Sequence, residues 1–160
     1  MWWRREPEAT LLVLCTANIC RSPAAGALLR AQLRSLGVGS RVRVLTAGTD
    51  AVPGMPPDPR MQALLREAGV GLRGQRSTVL GPSLLAAATA VYAMESEHLA
   101  AAQAVHPRPS GQTRELFNPR GEPVFDPYFR SLVEVRAVFA ELAEAAEQRA
   151  VQWQRALRGG

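Results

Sequence analysis

Leu11-Leu12-Val13-Leu14-Cys15-Thr16-Ala17-Asn18-Ile19-Cys20-Arg21-Ser22-Pro23 is the stretch that decides the fold. Its first four residues form a short apolar run, as a buried parallel strand does. Ser22-Pro23 then opens a helix, with serine suited to the N-cap and proline to the first helical position. Ala24 to Leu36 continues with strong helix formers, and Gly37 stops it. The loop between strand and helix presents backbone N–H groups that have no intrahelical partner. The positive end of the helix dipole adds to them, so the segment reads as an anion pocket.

Working outward, Arg41 to Leu45 alternates polar and apolar residues as a second strand. Strand, helix and strand together imply a parallel pair with a right-handed crossover. Asp50 to Pro59, with four prolines and a glycine, is a loop. Arg60 to Ala68 reads as a helix ended by Gly69, and 69–82 as irregular. Thr89 to Met94 is a third strand, followed by a helix from about Glu95 to Val105. Arg114 to Phe117 is a weaker fourth strand, and Asn118 to Pro127 a second proline-rich loop. A long helix from Tyr128 to about Leu157 carries Leu132, Val135, Val138, Phe139 and Leu142 at i, i+3, i+4 spacing. The alternation of strands and helices points to one open α/β sheet with helices on both faces. Ligands of such sheets sit at the carboxyl ends of the strands, where Cys15 falls.

The bulk properties narrow the function. The chain has 160 residues and is 47% hydrophobic, which suits one folded domain. No apolar run approaches the roughly 20 residues that span a bilayer, so no membrane association is expected. Met1-Trp2-Trp3-Arg4-Arg5-Glu6-Pro7 lacks the features of a secretory signal, and a cytoplasmic location is expected. The net charge of +5 comes from scattered arginines with no accompanying nucleic-acid motif. Nucleic acid is therefore not an expected partner, whereas a mild positive field favours an anionic substrate. Two cysteines are too few for a disulfide scaffold. No spacing joins Cys15 and Cys20 to His98 and His106 as metal ligands, so neither metal nor cofactor is expected. Both histidines read as surface residues.

The chemistry lies in the joint pattern of Cys15 and Arg21. A lone cysteine is usually a small buried hydrophobe, and a lone arginine a solvated one. Cys-x5-Arg-Ser closing a strand and opening a helix is far rarer. Main-chain donors would hold a phosphate there, and the planar fork of Arg21 can bind two of its oxygens. The same donors favour a thiolate on Cys15, which makes it a nucleophile beneath the phosphate.

These residues resemble the low-molecular-weight protein tyrosine phosphatases. Three stretches carry the likeness: Val13 to Pro23, the family's phosphate-binding loop; Thr46-Ala47-Gly48-Thr49 with Pro57-Asp58-Pro59-Arg60; and Asp126-Pro127-Tyr128. The likeness runs from about Thr10 to the final helix. It implies a single-domain α/β fold, a four-stranded parallel sheet with helices on both faces and the phosphate-binding loop after the first strand. Residues 1–9 are then an N-terminal tail and 10–158 the domain. It implies Cys15 as nucleophile, Arg21 as clamp on the phosphoryl oxygens, and Asp126 as general acid and then base. Thr16, Ala17, Asn18, Ile19, Cys20 and Ser22 would line the phosphate site. Ser22 would hydrogen-bond the Cys15 sulfur, Asn18 would shape the loop in a positive-φ conformation, and Thr46 would brace Asn18. Tyr128 would wall the substrate ring. Cys20 would either trap an oxidised Cys15 as a disulfide or pack beneath the loop. The substrate implied is a phosphotyrosine protein or a small aryl phosphate, with inorganic phosphate as product.

Ala17 stands where glycine is commonest in the family, Ala25-Gly26 replaces an acidic residue, and Gln75-Arg76-Ser77-Thr78 lacks the usual histidine and arginine. Three other readings compete. Arsenate reductases share the loop, but their chemistry needs downstream cysteines and none follows Cys20. Protein-arginine phosphatases carry a threonine where this chain has Ile19. A non-catalytic phosphotyrosine-binding module would have lost Cys15, Arg21 or Asp126, and all three are present.

Overall fold

A computed structural model of the chain describes residues 5–72 and 74–159. Four strands, β1 (Ala9–Cys15), β2 (Val42–Gly48), β3 (Ala90–Ala93) and β4 (Thr113–Leu116), pair in parallel in the order β2-β1-β3-β4. Five helices join them: α1 (Arg21–Ser35), α2 (Pro59–Glu67), α3 (Pro82–Ala87), α4 (Ser96–Val105) and α5 (Leu132–Arg158). Of the expected N-terminal tail, residues 1–4 lie outside the described residues.

The apolar run of β1 explains its place in the middle of the sheet. Leu11, Val13 and Cys15 face one core, shared with Leu29 and Leu33 of α1, Leu65 of α2 and Val138 and Leu142 of α5. Leu12 and Leu14 face the other, with Leu85 of α3 and Ala102 of α4. Side chains alternate across a strand, so both faces of β1 must be apolar. Among the described residues no helix is long and apolar enough to cross a membrane.

Three boundaries differ from the sequence reading. Helix α3 was not anticipated; Gly81 and Pro82 start it, and its six residues are too few to show periodicity. Helix α5 starts at Leu132 rather than Tyr128, because Ser131 accepts from the N–H of Glu134 at 3.3 Å and caps it. The preceding residues form a turn closed by Arg130 N–H on Pro127 O at 2.9 Å. Leu132 is consequently half exposed and outside the core. Ser22 does not cap α1 either. The helix begins two residues earlier, at Arg21, with Cys20 in the cap position and no side-chain cap.

The sheet order sets the site. After β1 the chain goes to β2 on one side, and after β2 it crosses to β3 on the other. The carboxyl ends of β1 and β3 therefore flank the crevice of an open α/β sheet. Gly48 ends β2 opposite Cys15. A Cβ there would lie 2.5 Å from the carbonyl oxygen of Thr16 and 3.0 Å from the carbonyl carbon of Ala17. Gly48→Ala should thus displace the loop and cost about 1–3 kcal/mol in urea denaturation, the usual penalty of overpacking. A change below about 0.5 kcal/mol, as for an ordinary surface substitution, would show that the contact is not tight.

Candidate active site

Residues 15–21 turn from β1 into α1 around one point, and the hydrogen bonds show how. The loop's carbonyls face outward: Cys15 O accepts from Thr49 N at 3.0 Å, Thr16 O from Asp50 N at 2.9 Å and Ile19 O from Asp58 N at 2.7 Å. The N–H groups of Thr16 to Cys20 have no protein acceptor among the described residues. With three of its carbonyls bonded to neighbouring segments and its N–H groups left without protein acceptors, the loop has the donor set that an anion requires.

Asn18 makes this turn possible. It has φ +57° and is the one non-glycine residue with positive φ among those described. Its buried side chain is fully committed. Oδ1 accepts from Thr78 N at 2.9 Å, which orients the amide so that Nδ2 donates to Ser22 Oγ at 2.8 Å and Thr46 Oγ1 at 3.0 Å. Ser22 Oγ also lies 2.9 Å from Cys15 Sγ. Since Asn18 donates to it, the hydroxyl proton is free to point at the sulfur. This use of Ser22 is the reason it does not cap the helix.

Arg21 is 2% exposed. Nη1 donates to Glu95 Oε1 and to Val124 O at 2.8 Å, and Nη2 reaches Thr16 Oγ1 at 3.4 Å and lies 3.7 Å from Asp126 Oδ2. Asp126 is exposed, and its Oδ1 accepts from Tyr128 N at 3.0 Å. The ring of Tyr128 stacks edge-on with Phe129 at 4.7 Å. Arg21, six residues after Cys15 in the same loop, is thus brought beside Asp126 from the far end of the chain. Thr16, Ala17 and Ile19 are partly buried, and Asn18, Cys20 and Ser22 are buried. Cys15 and Cys20 are both free thiols. Burial first, and then the Asp58 and Asp126 carboxylates, push the Cys20 thiol up to about 12. It sits beneath the loop as a protonated group.

His98 corrects the sequence reading: it is 1% exposed, not a surface residue. Its Nδ1 accepts from Glu95 N at 3.0 Å, so Nε2 carries the proton and points at Thr16 Oγ1, 2.9 Å away. Glu95 caps α4 in return, by a reciprocal bond with the third helical residue. Glu95 and His98 were missed as parts of the site. Their position just after β3, beside β1 in the sheet, was the available signal. Glu95, Glu97 and His98 bring three possible metal ligands within 4.8 Å of one another. Both nitrogens of His98 are committed, however, and Glu95 faces Arg21, so the cluster serves a guanidinium.

The same fold and loop occur in known proteins. The profile of the low molecular weight phosphotyrosine protein phosphatase family matches residues 10–158, and the chain belongs to that family. The low molecular weight protein-tyrosine-phosphatase Etp of Escherichia coli K12 is 32% identical over 141 residues, covering 87% of this chain and 90% of Etp. The tyrosine phosphatase Wzb of Escherichia coli K30, in complex with sulphate, superposes with TM-score 0.80 at 28% identity, over 91% of this chain and 98% of Wzb. The YwlE arginine phosphatase of Geobacillus stearothermophilus gives TM-score 0.81 at 27% identity, over 92% of this chain and 94% of YwlE.

The environment of His98 has a consequence for pH. Burial first, and then the Arg21 charge, hold its imidazole below the ordinary range, against the opposing pull of Glu95, Glu97 and Asp126. The fold thus prefers neutral His98. That contribution to stability is complete above the unfolded-state value of about 6.5 and is lost as pH falls through the lowered folded value. Wild type should lose more stability between pH 7 and pH 5 than His98→Gln, which keeps a donor for Thr16 but cannot titrate. Parallel melting-temperature profiles for the two proteins would remove His98 from this role.

Proposed function

We propose that the protein hydrolyses phosphotyrosine and other aryl phosphate monoesters through a phosphocysteine intermediate on Cys15. The observation that supports this reading is the loop itself: its carbonyls are bonded to neighbouring segments, its N–H groups have no protein acceptor among the described residues, and Arg21 at its end lies 3.7 Å from Asp126. The phosphoryl oxygens would take the loop donors and the Arg21 fork, while Glu95 keeps the guanidinium plane fixed. Cys15 thiolate attacks phosphorus and the P–O bond to the aryl group breaks. Asp126 gives its proton to the leaving phenolate, a poor leaving group otherwise. In the second step Asp126 takes a proton from water, and the water oxygen attacks phosphorus. Inorganic phosphate leaves, and the Cys15 thiolate is released with the Ser22 hydroxyl pointing at it. Tyr128 would wall the substrate ring, and Thr46 would hold Asn18 in place. No metal or cofactor enters these steps. Two free thiols, one of them the nucleophile, suit a reducing compartment, and we place the enzyme in the cytoplasm.

A specific residue separates this reading from arginine dephosphorylation. Ile19 is partly buried against the core and its backbone is held by Asp58. A branched apolar side chain beside the phosphoryl site disfavours a hydrogen-bonding guanidinium and suits a flat ring. Peptides carrying phosphotyrosine, phosphoserine or phosphoarginine provide the test. Phosphotyrosine should be hydrolysed fastest; preference for phosphoarginine would overturn the assignment. Cys15→Ser should still bind phosphate while kcat falls at least ~10³-fold, as for other lost nucleophiles. Retention of kcat within about tenfold would remove Cys15 from the chemistry.

A further inference from the structure

The loop that carries Asp126 is exposed and belongs to neither sheet nor helix, yet a proton donor must hold its place to within about half an ångström. Beside the ion pair of Asp126 with Arg21, one side chain from α2 holds the backbone of this turn. Asp58 is 5% exposed and caps α2, accepting from Arg60 N at 2.8 Å and Met61 N at 3.3 Å. Its own N–H is bound to Ile19 O of the phosphate loop at 2.7 Å. The Arg60 guanidinium doubles back onto the same carboxylate, Nε to Oδ1 at 3.3 Å and Nη2 to Oδ2 at 3.1 Å. Its outer edge then reaches the turn after Asp126: Nη2 donates to Tyr128 O at 2.6 Å and Nη1 to Arg130 O at 2.9 Å. Tyr128 in turn donates its N–H to Asp126 Oδ1.

We infer that Arg60 is a positioning residue for general acid catalysis: with Asp58 it locks the Asp126-Pro127-Tyr128 turn to the phosphate loop. This rests on Asp126 being the acid. The chemistry fits an arginine alone. Four of the five guanidinium N–H groups are used, in one plane and toward two sides, which an ammonium cannot reproduce. The hold is on backbone carbonyls, so it is indifferent to the side chains of Tyr128 and Arg130. No other side-chain donor bonds to residues 125–130 among those described.

The test compares kcat on a good leaving group, p-nitrophenyl phosphate, and a poor one, tyrosine phosphate, for wild type, Arg60→Met, Arg60→Lys, Asp126→Ala and the Asp126→Ala/Arg60→Met double variant. Arg60→Met should lose about 10–10²-fold on tyrosine phosphate, part of the worth of a placed acid, and much less on the nitrophenyl ester. Arg60→Lys should behave likewise. Inhibition by inorganic phosphate should stay within about threefold, since phosphate binding does not need the acid. In the double variant the Arg60 change should cost nothing further on tyrosine phosphate, because its route runs through Asp126. Equal losses on both esters, or a full additional loss in the double variant, would overturn the inference even if Arg60→Met is less stable. Should Asp126→Ala itself show no dependence on leaving group, the assignment of the acid fails, and this role for Arg60 fails with it.

Discussion

The structure turns on the backbone of Asn18. A chain leaving a buried strand and entering a helix within a few residues can close around an anion only if one residue takes a left-handed conformation. Glycine would do so without strain, but it would bring no side chain. Asparagine adopts φ +57° here and then uses its amide three times, on Thr78, Ser22 and Thr46. The residue that bends the loop also ties it to the neighbouring strand and places the hydroxyl beside Cys15. The close approach of Gly48 belongs to the same constraint, since the loop lies against the end of β2 with no room for a methyl group.

A buried guanidinium is the second demand of the site. Arg21 is almost wholly removed from water, where an unpaired charge would cost several kcal/mol. Glu95 compensates that charge from one side, while the Val124 carbonyl satisfies a further N–H. His98 holds the backbone of Glu95, and Thr16 links His98 back to the loop. The fork therefore needs no search for its orientation when a phosphoryl group arrives, which is the physical meaning of preorganisation. Among the described residues every buried side-chain polar atom has a partner. The second proline-rich loop brings Asp126 within 3.7 Å of this fork. Opposite charges so close keep the Asp126 loop near the phosphate-binding loop.

Much of this was legible from residues alone, because both main signals are local. A short apolar run followed by Cys-x5-Arg-Ser-Pro fixes strand, loop and helix together, and the order of strands and helices gives the parallel sheet. What was not legible depends on the third dimension. Glu95 and His98 belong to the site only because β3 lies beside β1, and sequence order does not state which strands are neighbours. His98 read as a surface residue because its helix has almost no amphipathic pattern. Ser22 read as a cap because local statistics favour serine there, and the tertiary bonds to Cys15 and Asn18 outweighed them. Arg60 was visible within Pro57-Asp58-Pro59-Arg60, but its reach to Tyr128 spans 68 residues of chain.

The central claim is that the phosphoryl group passes through the sulfur of Cys15. Rapid acid quench of the enzyme during turnover of a labelled aryl phosphate, followed by peptide mapping, examines it most directly. The expected result is a phosphoryl group on the peptide containing Cys15, formed in a burst before steady-state release of phosphate. A phosphoryl group on any other residue, or turnover with no labelled peptide at a time when the burst of phenol is complete, would contradict it.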